Sequence, residues 1–218
     1  MQKSILAGLI SVTIVVPLSL ILILTGLATQ NVTAQEHTTS ITTPTVTNGN
    51  NTNTNFLTYS NSSYGIKIQY PSYFIKEESQ NQSSGDIVKF TSLRGTPPLE
   101  LGISDGQPVP QNMSLEQWSN ATIRGLSQLF DNFSLVESNS TTVGGFPAHE
   151  IIYTATLPSS GVEIKFMQLL IIKDSKEYII TANTFPTDFS FYLPTIQEMI
   201  NSFAFIPKVT TTALAPPP

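Results

Sequence analysis

The chain has 218 residues and a formal net charge of −5, with ten Lys and Arg, fifteen Asp and Glu, two His and no Cys. That length allows one domain of ordinary size, and the absence of cysteine removes disulfides, thiolate nucleophiles and Cys-based zinc or iron–sulfur centres. Two histidines cannot build a three-histidine zinc site, and ten scattered cations on an acidic chain argue against nucleic acid as a partner, since a phosphate backbone demands clustered Lys and Arg.

Ile5 to Leu24 holds 15 apolar residues in 20, and between Lys3 and Glu36 no residue is charged. Twenty residues at about 1.5 Å each span roughly 30 Å, the hydrocarbon thickness of a bilayer, which fits a retained transmembrane anchor over residues 4–27. Val32-Thr33-Ala34 before Gln35 has the small-residue spacing of a signal-peptidase site, and Pro17 shortens the apolar helix, which fits a cleaved signal peptide. Both readings of residues 1–30 stand, and in either the positive charge of Lys3 keeps the short end inside and sends the rest across the membrane.

From Asn31 to Asn55 there are nine Thr, six Asn and one Ser in 25 residues, with Glu36 the only charged one. Such a segment buries too little to offset the cost of ordering its backbone, and residues 31–55 are read as a disordered stalk. The tail 208–218, ending in three prolines, is read in the same way. The folded domain is therefore expected over 56–207. Asn-x-Ser/Thr triplets occur at Asn31, Asn50, Asn61, Asn81, Asn112, Asn120, Asn132 and Asn139. Six of the eight asparagines between Phe56 and Pro207 lie in them, where a Ser and Thr content of about a fifth predicts about two, and the excess is read as N-glycosylation of an exported surface. An exported glycoprotein without cysteine fits an archaeal cell surface better than a secretory pathway in which small domains are stapled by disulfides.

Within the domain, Tyr64, Ile66, Ile68 and Tyr70 alternate with polar residues, the period of a strand. Asp86 to Thr91, Leu99 to Ser104, Phe133 to Glu137, Ala148 to Leu157, Glu163 to Lys173 and Glu177 to Asn183 read similarly, as a largely antiparallel meander. Turns are expected at Pro158-Ser159-Ser160-Gly161 and Lys173-Asp174-Ser175-Lys176. Ser114-Leu115-Glu116-Gln117 is a capping box opening a helix whose stripe is Leu115, Trp118, Thr122, Leu126 and Leu129, with Asn120 and Arg124 facing solvent. A second helix carries the stripe Phe189, Tyr192, Leu193, Ile196, Met199, Ile200 and Phe203, with Pro194 on its polar side and a bend expected there. Both stripes, Trp118 included, are read as core rather than as a cofactor box.

Catalytic chemistry has one candidate. Gly102-Ile103-Ser104-Asp105-Gly106 matches the nucleophile-elbow pattern G-x-S-x-G, with Asp131 or Glu137 and then His149 following in hydrolase order. An elbow needs a helix directly after its serine, whereas Gln107-Pro108-Val109-Pro110 imposes extended backbone, so a loop is the better reading. His149 shares parity with Ile151, Tyr153 and Ala155, which makes it a structural histidine of a strand. Glu77-Glu78 and the Asp105 turn are the local acidic candidates for a cation, and neither has the alternating spacing of a calcium loop. Tyr59, Tyr70, Tyr73 and Phe74 could either line a groove for a partner or cap a core.

Three stretches together resemble the PsbP family of thylakoid extrinsic proteins and its bacterial and archaeal relatives. Phe56-Leu57-Thr58-Tyr59 followed by Tyr64-Gly65-Ile66-Lys67-Ile68-Gln69-Tyr70-Pro71-Ser72-Tyr73-Phe74 is similar to that family's opening pair of strands. Gly144-Gly145-Phe146-Pro147-Ala148 before Ile152-Tyr153-Thr154 resembles its central Gly-Pro-Ala strand. Glu177 to Ala182 and Tyr192 to Phe203 resemble its last strand and C-terminal helix. The resemblance implies an α+β fold, an antiparallel β-sheet flanked by helices in an α/β/α sandwich. Photosynthetic members help to retain calcium and chloride at a manganese cluster and dock through basic surface residues, whereas residues 56–207 hold 8 basic and 14 acidic side chains, which counts against photosystem docking. The motifs are structural and carry no catalytic residue, so the resemblance shifts weight toward binding. The expectation is an exported, membrane-anchored or secreted binding or accessory domain, without catalysis, cofactor or metal, acting on an envelope or extracellular protein partner. A small serine hydrolase using Ser104 and a structural component of the cell envelope are the alternatives.

Overall fold

Alternation along the strands decides the architecture, because each strand buries one or both faces against a different layer. A computed structural model of the protein describes residues 55–79, 85–94, 99–158 and 160–207. The apolar segment 5–24, the stalk up to residue 54, the triplets at Asn31, Asn50 and Asn81 and the tail 208–218 lie outside them. Among the described residues no helix is long and apolar enough to cross a membrane.

The described elements are β1 (Phe56–Asn61), β2 (Ile66–Pro71), β3 (Phe74–Glu78), β4 (Asp86–Ser92), β5 (Glu100–Pro108), α1 (Leu115–Leu129), β6 (Asp131–Val143), β7 (Phe146–Thr156), β8 (Glu163–Lys173), β9 (Lys176–Thr184), α2 (Pro186–Ser202) and β10 (Ala204–Phe205). They form a seven-stranded sheet in the order β3-β4-β5-β9-β8-β7-β6 and a small sheet in the order β1-β2-β10. Every pairing is antiparallel. The large sheet is not one continuous meander. β3 to β5 and β6 to β9 are separate hairpin runs, and α1 carries the chain from β5 to the far edge so that β9 returns beside β5.

The sheet is covered on both faces. In β8, Ile164, Phe166 and Leu170 point into a core shared with Trp118 and Leu126 of α1 and with Phe130. The alternate residues Met167, Leu169 and Ile171 join Phe189, Tyr192, Ile196 and Met199 of α2 and Ile66 and Ile68 of the small sheet. A strand buried on both faces reads as a nearly continuous apolar run, as β8 does. The arrangement is an antiparallel sheet with α1 on one side and α2 plus the small sheet on the other, the α+β class that the sequence implies.

Both helices begin as their sequences dictate. Ser114 Oγ accepts from the Gln117 amide at 3.1 Å while Gln117 Oε1 accepts from the Ser114 amide at 2.9 Å, the reciprocal box. In α2, Pro186 occupies the first turn, where its missing N–H costs nothing. In the α2 stripe Phe189, Tyr192, Ile196, Met199 and Phe203 are buried and Leu193 and Ile200 partly so, and Asn120 and Arg124 face solvent. The α1 stripe needs one correction: Leu129 is 47% exposed. The helix ends there, and Phe130, already extended, takes the core position instead, with its ring 6.0 Å from that of Phe166.

Strand lengths are corrected most at β6. The alternation suggests Phe133 to Glu137, whereas the strand runs for 13 residues to Val143. Being the sheet's edge, β6 leaves most of its side chains in water on either face, so no apolar period marks it. Across its hairpin loop, Asp174 and Ser175 both adopt positive φ between paired Lys173 and Lys176, the backbone of a type I′ connection between β8 and β9.

Candidate functional site

Strand register settles the hydrolase candidate. Ser104 pairs with Ile179, Ile179 with Leu170, and Leu170 with His149, so the four lie in one row across β5, β9, β8 and β7. Three strand spacings of about 4.8 Å put Ser104 about 14 Å from His149, with two buried apolar side chains between them. Ser104 is itself buried inside β5 rather than raised on a turn before a helix. His149 shares a 2.8 Å hydrogen bond with Ser138 Oγ, and burial pushes its pKa down. Asp131 opens β6 opposite Thr156, and Glu137 accepts from Asn139 Nδ2 at 3.4 Å. Ser104 therefore has no contact with His149, Asp131 or Glu137 through which it could give up a proton; the serine that His149 does touch is Ser138, outside the G-x-S-x-G pattern.

The acidic candidates of the sequence are each matched to a lysine. Glu77 Oε2 lies 3.1 Å from Lys89 Nζ, Glu78 pairs with Lys76, and Asp105 pairs with Lys176 across β5 and β9. Among the described residues no three His, Asp or Glu side chains form a metal-holding group. The aromatic candidates divide. Tyr59, Tyr70 and Phe74 are buried core residues, with Tyr59 and Tyr70 packed 5.9 and 4.6 Å from the Phe90 ring. Tyr73 is only partly covered and carries the Arg94 guanidinium 4.1 Å from its ring centre.

Two arrangements escape the sequence. The first is Glu177, which follows the parity of Ile179 into the α1 core. Its Oε1 accepts from Trp118 Nε1 at 2.6 Å. Gly106 lies so close that a methyl group there would run into the carboxylate. Burial pushes the Glu177 pKa up to about 7, against the smaller opposing pull of the indole N–H. An acid at the end of a strand gives no sequence sign that a tryptophan 59 residues earlier will donate to it.

The second is a cleft of about 230 Å³ between the C-terminal half of α2 and strands β6 to β8. Its apolar wall is Val143, Met167, Leu169 and Ile200. Its polar wall is Thr141, Thr142, Glu150, Gln197 and Asn201, and Glu150 is the one charged residue lining it. Glu137 belongs to the same neighbourhood, since it pairs with Ile152 while Glu150 pairs with Asn139 two steps along the ladder, on the same face of the sheet. Burial raises the Glu150 pKa, and the nearby Glu137 carboxylate raises it further. Lysines on this face of β8 are engaged elsewhere, Lys165 over the Phe189 ring at 4.6 Å and Lys173 near Phe146 and Phe205. Among the described residues, none of the five polar side chains of the cleft has a hydrogen bond or ion pair to another side chain or to the backbone. A separation of 13 in sequence hides the pair of Glu137 and Glu150; only the β6–β7 register joins them.

Of the triplet asparagines that are described, Asn112, Asn120, Asn132 and Asn139 are exposed. Asn61 differs. Its Nδ2 donates to Tyr59 Oη at 3.0 Å and its Oδ1 accepts from the amides of Ser63 and Tyr64, closing the turn between β1 and β2.

Comparison with known proteins agrees with this architecture. The family model described as PsbP-like protein matches residues 7–205. Cyanobacterial PsbP from Synechocystis sp. PCC 6803 superimposes with a TM-score of 0.52 at 18% identity, over 74% of this chain and 98% of that one. A Pseudomonas aeruginosa protein of unknown function gives 0.49 at 15% identity, over 75% and 98%. LpqN of Mycobacterium tuberculosis, described as involved in cell envelope biogenesis, gives 0.48 at 9% identity, over 65% and 83%. No curated protein matches. With the motifs at both ends of the domain, the two-faced sheet and a model match across nearly its whole length, the chain belongs to the PsbP-like protein family.

Proposed function

We propose that the protein is an exported accessory domain that binds an envelope or extracellular partner and catalyses no reaction. In this reading residues 4–27 hold it at the membrane or are cleaved as a signal, residues 31–55 form the stalk, and 56–207 is the binding domain. The cleft beside α2 is the observation that carries it: its five polar side chains, four of them exposed, have no hydrogen bond or ion pair among the described residues and are open to a partner. Membership of a family whose shared motifs are structural supports binding over turnover. The separation of Ser104 from His149 by Ile179 and Leu170 supports the same choice against the hydrolase alternative.

A photo-crosslinking residue placed at Asn201, tested in intact cells, is expected to capture one envelope protein that the same residue at Thr58, on β1, does not. Equal capture from both positions would sink the reading. Ester hydrolysis that disappears in Ser104→Ala while the fold persists would sink it from the other side.

A further inference from the structure

We infer that the corner at which the chain enters the domain lies against the lipid surface, with Leu93 and Phe191 entering its interfacial layer; this deepens the anchored form of the role proposed above and rests on it. Single apolar side chains scattered over a surface are ordinary. Exposure and grouping set these two apart. Among the described residues the other five exposed large apolar side chains lie between 42% and 48%, whereas Leu93 is at 67% and Phe191 at 78%. Both belong to one corner. Tyr192 Oη donates to the Arg94 carbonyl at 2.6 Å, and the Phe191 ring stands 5.1 Å from that of Tyr192. The Leu93 amide donates to the Tyr73 carbonyl at 3.2 Å, and the exposed Arg94 places its guanidinium 4.1 Å from the Tyr73 ring centre.

The point of attachment of the preceding chain says what covers this corner. The Ser72 amide donates to the Asn55 carbonyl at 2.8 Å, so the segment that leads back to the apolar residues 4–27 departs beside Ser72 and Tyr73. The proposed stalk, 25 residues from Asn31 to Asn55, has as a random coil an end-to-end distance of about 25–30 Å. With residues 4–27 in a bilayer, lipid stands at an effective concentration of about a millimolar to the corner, where insertion of two large side chains suffices for docking. The chemistry is that of an interface: Phe191 and Leu93 for the acyl boundary, Tyr73 at headgroup depth and Arg94 for a phosphate. β3 and β4 form one edge of the large sheet, whereas the exposed Asn132 and Asn139 lie on β6 at the other, six strand spacings or about 29 Å across. Asn201 of the cleft lies ten residues beyond Phe191, about 15 Å along the chain's last helix. Docking at the corner thus leaves the cleft and the β6 asparagines in water.

The chain has no cysteine, so a nitroxide on Ser72→Cys is the single label of the full chain reconstituted in phosphatidylcholine vesicles. Power saturation is expected to show that label colliding with lipid-soluble oxygen in preference to a water-soluble nickel chelate, and a label on Asn139→Cys doing the reverse. Phe191→Ser and Leu93→Ser, both at exposed positions that leave the fold intact, should each weaken docking about tenfold and return the Ser72 label toward water. Leu135→Ser, at an exposed apolar position on β6, should leave it in lipid. A Ser72 label as wet as the one at Asn139 overturns the inference. So does a label shut off from both reagents, spin–spin broadening then assigning the corner to a second copy and its absence to another protein surface. A full chain that fails to float with the vesicles overturns it as well. If Asn201 still crosslinks one envelope protein while the Ser72 label is wet, lipid docking fails and the accessory role survives; if crosslinking fails too, both fall.

Discussion

Glu177 and Tyr153 show how much one buried polar atom can weigh. The Glu177 carboxyl has a pKa near 7 in the folded chain against an ordinary value of 4.5. The folded protein thus keeps a proton that the unfolded chain releases, so the contribution of this group is most favourable below about pH 4.5 and is lost as pH rises toward 7. The shift corresponds to up to about 3 kcal/mol. Glu177→Gln keeps an acceptor for Trp118 and removes the titration, so thermal midpoints measured from pH 5 to pH 8 should fall with pH in the parent and stay nearly level in the variant. Trp118 is the single tryptophan, so its emission should titrate over the same interval in the parent alone.

Tyr153 is fully buried, stacked 4.8 Å from Phe166, and its hydroxyl has no hydrogen-bond partner among the described residues. Tyr153→Phe removes that unpaired group and should raise stability by about 1 kcal/mol in chemical denaturation. A decrease would mean that the hydroxyl is satisfied by a bound water. The parity of His149 and of Trp118 could be read directly from the sequence. The Trp118 donor bond and the Glu137–Glu150 pairing could not, because each depends on which strands lie side by side.

Elements were legible in proportion to how much they bury. β8 and β9, buried on both faces, and α2, with its apolar stripe, stand out in the sequence as they do in the fold. β3, β10 and most of β6 do not, since β3 and β6 lie at the two edges of the large sheet and β10 has two residues. α1 is marked by its capping box, which ties the first turn shut. Ser114→Ala should therefore cost about 1 kcal/mol, seen as a lower midpoint in thermal denaturation followed by circular dichroism, with Thr or Asp at the same place restoring most of it. A silent Ser114→Ala would show that tertiary packing alone holds the helix. β6 is the long open edge, and exposed Asn132 and Asn139 sit along it beside a row of Ser and Thr. Small polar side chains there lower the apolar attraction that would pair two such edges.

For the molecule entire, the exported, glycosylated reading makes a positional statement. Peptide mass spectrometry of the protein taken from its native cells should find glycan at Asn112, Asn120, Asn132 and Asn139, whose side chains face solvent. Asn61 should be bare, because it is partly buried with both ends of its amide engaged, Nδ2 by Tyr59 and Oδ1 in the β1–β2 turn, whereas the exposed Asn132 and Asn139 use Nδ2 alone. Glycan at Asn61 with none at the other four would contradict that ranking, and unmodified peptides at all of them would contradict the export signal read from triplet frequency.

The small sheet joins the two ends of the domain. β2 is flanked on one side by β1 and on the other by β10, with Lys67 opposite Ala204 and Ile66 opposite Phe205. A chain emerging from the ribosome in order can close the β1–β2 hairpin at once, yet must wait for roughly 140 more residues before that sheet has its third member. Completion is deferred until Ala204 and Phe205 have been made. A chain cut short even a few residues before Phe205 would leave the second strand with a bare flank, marking it as unfinished.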